Sequence, residues 1–137
     1  MQVVYRKAIA SDLDGINKLL NSYFNHSIDN VINTEDKYFL VGDVLSQIVA
    51  LAFITKIYND VNKKYWYKIN YVCVDEEYRG QHIALHLMEK IEEEAKEDGV
   101  SYLELTSNKN RCAAQALYYK CGFMVSDTCL FRKEIKK

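Results

Sequence analysis

The sequence predicts a single α/β domain over residues 1–137, built on a mixed, mostly antiparallel sheet flanked by helices. Three observations predict it. Short apolar stretches rich in Val, Ile and Tyr have the composition of strands. Between them lie segments whose apolar residues recur at helical spacing. The order of the two, β-α-β-β-β-α-β-α-β, puts antiparallel hairpins first and a β-α-β crossover after them.

Residues 3–7 read as a short first strand. Ser11 then stands as a helix N-cap, with Asp14 three residues on as its capping-box partner. Leu13, Ile16, Leu20, Tyr23 and Phe24 follow at helical spacing and predict a helix of about 12 residues. Residues 25–37 are polar and irregular. Residues 38–41 predict a strand, and residues 48–57, mostly apolar and β-branched, a strand buried on both faces. Asn59, Asp60 and Asn62 mark a hairpin turn into a long strand over 65–74.

The period then changes. Ala84, Leu87, Met88, Ile91 and Ala95 make one apolar face, opposite Glu89, Lys90, Glu92, Glu93, Lys96 and Glu97. This is an amphipathic helix that opens at about Gln81 or His82 and closes on Gly99. Residues 102–106 alternate as a strand, 111–121 form another helix ended by Gly122, and 123–134 predict one or two closing strands.

Composition excludes several functions. Lys and Arg number 18 against 19 acidic residues, and the basic residues are scattered apart from a cluster at Arg132, Lys133, Lys136 and Lys137, so nucleic acid is not an expected partner. No apolar run approaches the roughly 18 residues of a membrane span, so no membrane association is expected. The opening residues carry no signal-peptide pattern, which makes the cytoplasm the expected compartment. Cys73, Cys112, Cys121 and Cys129 form no C-x-x-C pair and have no His at metal spacing, so they read as reduced packing thiols and no metal is implied.

The chemistry concentrates at residues 72–84, where a strand ends, a tight turn follows and a helix begins. A helix N-terminus presents unpaired N–H groups and the positive end of the helix dipole, which together suit a pyrophosphate. Arg79 adds a cation at the entrance, and Gly80 allows close approach of a ligand to the backbone. No Gly-Lys-Ser/Thr follows, so the segment is not a P-loop.

The run Arg79-Gly80-Gln81-His82-Ile83-Ala84 resembles the acetyl-CoA signature of the GNAT superfamily, Arg/Gln-x-x-Gly-x-Gly/Ala. Arg79 fills the first position and Ala84 the last, while His82 stands where the family usually has Gly. A second block, Arg111-x-x-Ala114-x-x-Leu117-Tyr118-x-x-x-Gly122-Phe123, is similar to the family's later motif and fits without a gap.

The resemblance implies an acetyl-CoA-dependent N-acetyltransferase of GNAT-like fold, with acetyl-CoA as cosubstrate and a primary amine of a small molecule or protein as acceptor. It implies that the backbone of Val72, Cys73 and Val74 pairs with the pantetheine arm, at a bulge that splays this strand from the next. It further implies that N–H groups of Arg79, Gly80, Gln81, His82, Ile83 and Ala84 hold the pyrophosphate, with Asn108 and Arg111 near the cofactor. Tyr118 is implied as the general acid that protonates the leaving thiolate. For the base, Glu104, Glu76 or a water chain ending at a backbone carbonyl stay open. A homodimer through the C-terminal strands also follows from the resemblance alone. Two alternatives stand beside the main reading. One is a CoA-binding or protein-interaction module of the same fold without catalysis. The other is a different acyl donor, such as propionyl- or succinyl-CoA.

Overall fold

The computed structural model describes residues 2–107 and 110–136. Five strands form one sheet in the order of the chain: β1 (Val4–Lys7), β2 (Lys37–Val44), β3 (Gln47–Asn59), β4 (Lys64–Val74) and β5 (Tyr102–Leu105). Neighbours from β1 to β4 are antiparallel, and β5 joins β4 in parallel. Helix α1 (Leu13–Phe24) connects β1 to β2, α2 (Ile83–Asp98) crosses from β4 to β5, and α3 (Cys112–Lys120) follows β5.

The continuous apolar run of β3 has its explanation in the two layers that cover the sheet. On one face, Ile16, Leu19 and Leu20 of α1 pack with Phe39, Val41, Ile48, Leu51 and Cys73. On the other, Leu87, Met88, Ile91 and Ala95 of α2 pack with Leu40, Val49, Ala52, Ile54 and Ile69. Helix α1 lies so close to β3 that a Cβ on Gly15 would sit 2.8 Å from Ile48 Cγ1.

Both long helices stop where the sequence supplies a left-handed residue. Asn25 at φ 56° ends α1, where His26 N–H reaches Leu20 O at 3.3 Å, and Gly99 at φ 70° ends α2, where Val100 N–H reaches Ala95 O at 3.2 Å. The start of α1 differs from expectation. A single 3-10 turn, Ala10–Asp12, precedes it, and Asp12 rather than Ser11 occupies the cap position. The Asp12 carboxylate decides this, because it takes two bonds from the Arg6 guanidinium (2.7 and 2.9 Å) and one from Ile9 N–H (2.8 Å).

Two features of β4 shape the ground for a binding site. Leu51 pairs Cys73 while Phe53 pairs Asn70, so two β4 residues oppose Ala52 alone. This is a β-bulge, with Tyr71 at φ 57°, and bulges bend the strand that carries them. The second feature is length. Strand β5 pairs only Trp66 to Ile69 of β4, leaving the outer edge of β4 without a strand neighbour from the bulge onward, among the described residues.

The closing strands expected over 123–134 are absent from the described residues. The segment has two apolar triplets, at 123–125 and 129–131, but between them Ser126 Oγ takes the Thr128 N–H at 3.2 Å and shares a 2.9 Å bond with the Thr128 hydroxyl. Such a local turn competes with ladder pairing. Leu130 and Phe131 are left 73% and 92% exposed.

Candidate active site

A cavity of about 840 Å³ opens at the splayed end of β4. Its walls come from four elements: Tyr23 and Phe24 at the end of α1, Val72, Cys73 and Val74 on β4, the turn into α2, and one face of α3. Of the residues predicted from sequence, Val72, Cys73, Val74, Arg79, Gly80, His82, Ile83, Ala84, Arg111 and Tyr118 all line it. Gln81 belongs to the same turn but is not among the lining residues. Asn108 lies outside the described residues.

The bulge dictates what β4 offers. Asp75 N–H bonds Val49 O at 2.8 Å, so backbone alternation turns the N–H and C=O of Val74 the other way, toward the open edge. By the same alternation Val72 faces that edge and Cys73 faces β3. Tyr71, whose left-handed backbone makes the bulge, is held from the side by Phe24, ring to ring at 5.1 Å and nearly perpendicular.

The turn from β4 to α2 is built by three local devices. Asp75 is buried and its carboxylate accepts Glu77 N–H at 3.0 Å, which caps a 3-10 turn over Glu76–Tyr78. Glu76 N–H donates to the Tyr23 hydroxyl at 2.8 Å, tying this turn to α1. Gly80 then takes φ 81°, and a Cβ there would meet nothing within 4 Å, so the backbone lies open to the cavity. His82 precedes α2 at φ 60° and makes no side-chain cap bond. The first N–H to close the helix ladder is that of His86, onto His82 O at 3.0 Å. The N–H groups before it at the helix start have no partner within the helix.

Arg79, Arg111, Lys120 and His82 supply the basic lining groups, and no Asp or Glu lines the cavity among the described residues. The electrostatics therefore favour an anion. Burial pushes the Tyr118 phenol above its ordinary value, while Arg111 pulls it down more weakly. Burial likewise pushes the Cys73 thiol up to about 12, against Arg79 and Arg111. Neither expected base reaches the site: Glu76 and Glu104 are both exposed and outside the lining.

Sequence reasoning missed Tyr23, Phe24, Leu117 and Lys120 as cavity residues. The helical spacing of Tyr23, Phe24 and Leu117 marks an apolar face and cannot tell a core from a cavity wall.

Residues 10–123 match the model of the acetyltransferase (GNAT) family.

The chain belongs to the GNAT family.

It is 32% identical over 108 residues to the GCN5-related N-acetyltransferase 6, chloroplastic, of Arabidopsis thaliana, an alignment covering 76% of this chain and 37% of that protein. The chain thus spans well under half the length of that GNAT relative. Among solved structures, a transcriptional regulator from Bacillus halodurans C-125 superposes with a TM-score of 0.85 at 22% identity, covering 97% of this chain and all of that one. A ribosomal-protein-alanine N-acetyltransferase from Brucella melitensis biovar Abortus 2308 gives the same TM-score at 18% identity, over 98% of this chain and all of that one. At these identities the two structures establish the GNAT fold. No helix of the described residues is long and apolar enough to cross a membrane, and no group of metal-binding side chains occurs among them.

Proposed function

We propose that the protein transfers the acetyl group of acetyl-CoA to a primary amine of a small molecule or protein. One observation carries this reading: the end of β4, whose edge is unpaired among the described residues, and the turn into the N-terminus of α2 line a single cavity that Tyr118 lines too.

The residues present suit acetyl-CoA. Val72 and Val74 offer backbone groups on the open edge to the amides of the pantetheine arm. Gly80, Gln81, His82, Ile83 and Ala84 place N–H groups and the helix dipole where a pyrophosphate would sit, with Gly80 adding no side chain to obstruct it. Arg79, Arg111 and Lys120 supply positive charge around it. When bound, acetyl-CoA supplies an acyl group activated as a thioester.

Tyr118 keeps its proton at neutral pH, because its raised pKa takes it further above its ordinary value near 10. It is the group we assign to protonate the departing thiolate. Cys73 lines the cavity but keeps its thiol proton as well, which argues against an acyl-cysteine intermediate and for direct attack by the amine. The amine's proton leaves through water and backbone carbonyls, since no carboxylate lines the cavity among the described residues. The exposed apolar side chains of Met124, Val125, Leu130 and Phe131 further support a homodimer that would cover them.

The test is thiol release from acetyl-CoA across a panel of amines, with Tyr118→Phe alongside. The proposal expects amine-dependent release that falls by about 10²-fold or more in the variant, the size of a lost general acid, while CoA affinity is kept. CoA binding with no release for any amine would favour the non-catalytic binding module.

A further inference from the structure

We propose that Arg79 is a positioning residue with two stations, and that in the free protein it guards the edge of β4 against the pantetheine arm. The inference rests on the acetyl-CoA reading above and goes beyond it, because it concerns what the Arg79 side chain does before the cofactor arrives.

In the structure the side chain is engaged twice. Arg79 Nε donates to the Val74 carbonyl at 3.2 Å, and the guanidinium carbon lies 5.1 Å from the centre of the Tyr23 ring. The Val74 carbonyl is the last acceptor on the open edge of β4, where a ligand amide would have to bond. The Tyr23 ring is the α1 wall of the same cavity, and its hydroxyl is fixed by Glu76 N–H at 2.8 Å. One side chain thus covers an acceptor on the cofactor side and an aromatic face on the α1 side.

The two partners it holds are a single neutral carbonyl and a half-buried ring, and neither carries a charge. A phosphate offers a guanidinium charge-assisted, bidentate bonds, which are stronger. Phosphate binding at the α2 N-terminus would therefore draw Arg79 off both partners. That movement frees the Val74 carbonyl for the pantetheine amide and uncovers Tyr23 for the acceptor. The cofactor's own phosphates thus release the edge that its arm needs, and the acceptor side opens only afterwards. A ligand with the arm but no phosphates has to displace Arg79 without that help.

The experiment is calorimetric titration of wild type and Arg79→Ala with CoA and, separately, with pantetheine, which has the arm and no phosphate. Arg79 is exposed and ends a turn, so the variant is expected to fold, and its thermal transition checks this. CoA should bind the variant more weakly. Pantetheine should bind it more tightly, by about fivefold, the scale of one modest hydrogen bond plus a weak cation–π contact. A purely structural role or a plain phosphate contact would not move the two ligands in opposite directions. Tyr23→Leu, which removes the ring from under the guanidinium, should also tighten pantetheine. Unchanged or weaker pantetheine binding in Arg79→Ala, with CoA still bound by wild type, would overturn this inference alone. Failure of wild type to bind CoA would overturn the acetyl-CoA reading along with it.

Discussion

Gly80 and His82 take the same left-handed backbone two residues apart, at φ 81° and 60°, on the turn that leads into α2. Glycine adopts this conformation freely, whereas a side chain meets its own backbone there. The family signature has Gly at the position of His82, and the structure gives the physical reason: the N-cap of α2 is left-handed. His82 makes no cap bond, so its imidazole does not compensate.

His82→Gly should therefore stabilise the fold by up to about 1 kcal/mol and leave CoA affinity nearly unchanged. Thermal denaturation and calorimetry check the two halves. A tenfold loss of affinity, about 1.4 kcal/mol, would show that the imidazole itself contacts the ligand.

The Arg6–Asp12 pair gives the fold a defined acid sensitivity. Bonds from Arg6 hold the Asp12 carboxyl below its ordinary value, outweighing burial, with Ile9 N–H adding to the effect. A lowered folded pKa contributes stability that is present above the unfolded value, near 4, and lost as pH falls through the folded one. Asp12→Asn should cost about 1–3 kcal/mol at pH 7. It should also narrow the stability difference between pH 7 and pH 3 in urea denaturation. Asp98, bonded by Lys56 and Tyr67 at the far end of α2, would keep part of that difference.

The thiols should separate by environment. Cys112 and Cys129 are exposed, while Cys73 is buried with its thiol pKa pushed up to about 12. An aromatic disulfide reagent should label Cys112 and Cys129 quickly in the native protein and reach Cys73 only on unfolding. Cys73→Ala should retain most turnover, whereas loss of turnover in a folded variant would point to an acyl-cysteine step.

The legible parts of the fold were those fixed by local chemistry. The run of β3, the apolar face of α2 and the stop at Gly99 stand where periodicity and turn residues put them. The Asn59 turn does too, with Asn59 Oδ1 taking the N–H of Val61 and Asn62. The parts that depend on distant partners were not legible. Ser11 looks like a better cap than Asp12 until Arg6 is brought beside it by the β1 strand. The left-handed Tyr71 carries no turn residue to announce it, and Phe24 holds it from another element. The apolar residues of 123–134 suggest strand character, but a strand also needs a neighbour to pair with. In the site, the two motif blocks identified the β4–α2 turn and the α3 face. Tyr23 enters through α1, some fifty residues before the motif, by a hydrogen bond to Glu76 that no local pattern shows.

The cavity between β4, α2 and α3 is read as an acyl-CoA site, and calorimetric titration of the purified protein with acetyl-CoA tests that reading most directly. Saturable binding in the micromolar range is expected, weakened when Arg111 or Arg79 is replaced by Ala. An absence of binding at millimolar acetyl-CoA would contradict it, leaving a GNAT scaffold whose open strand edge and helix N-terminus serve another ligand.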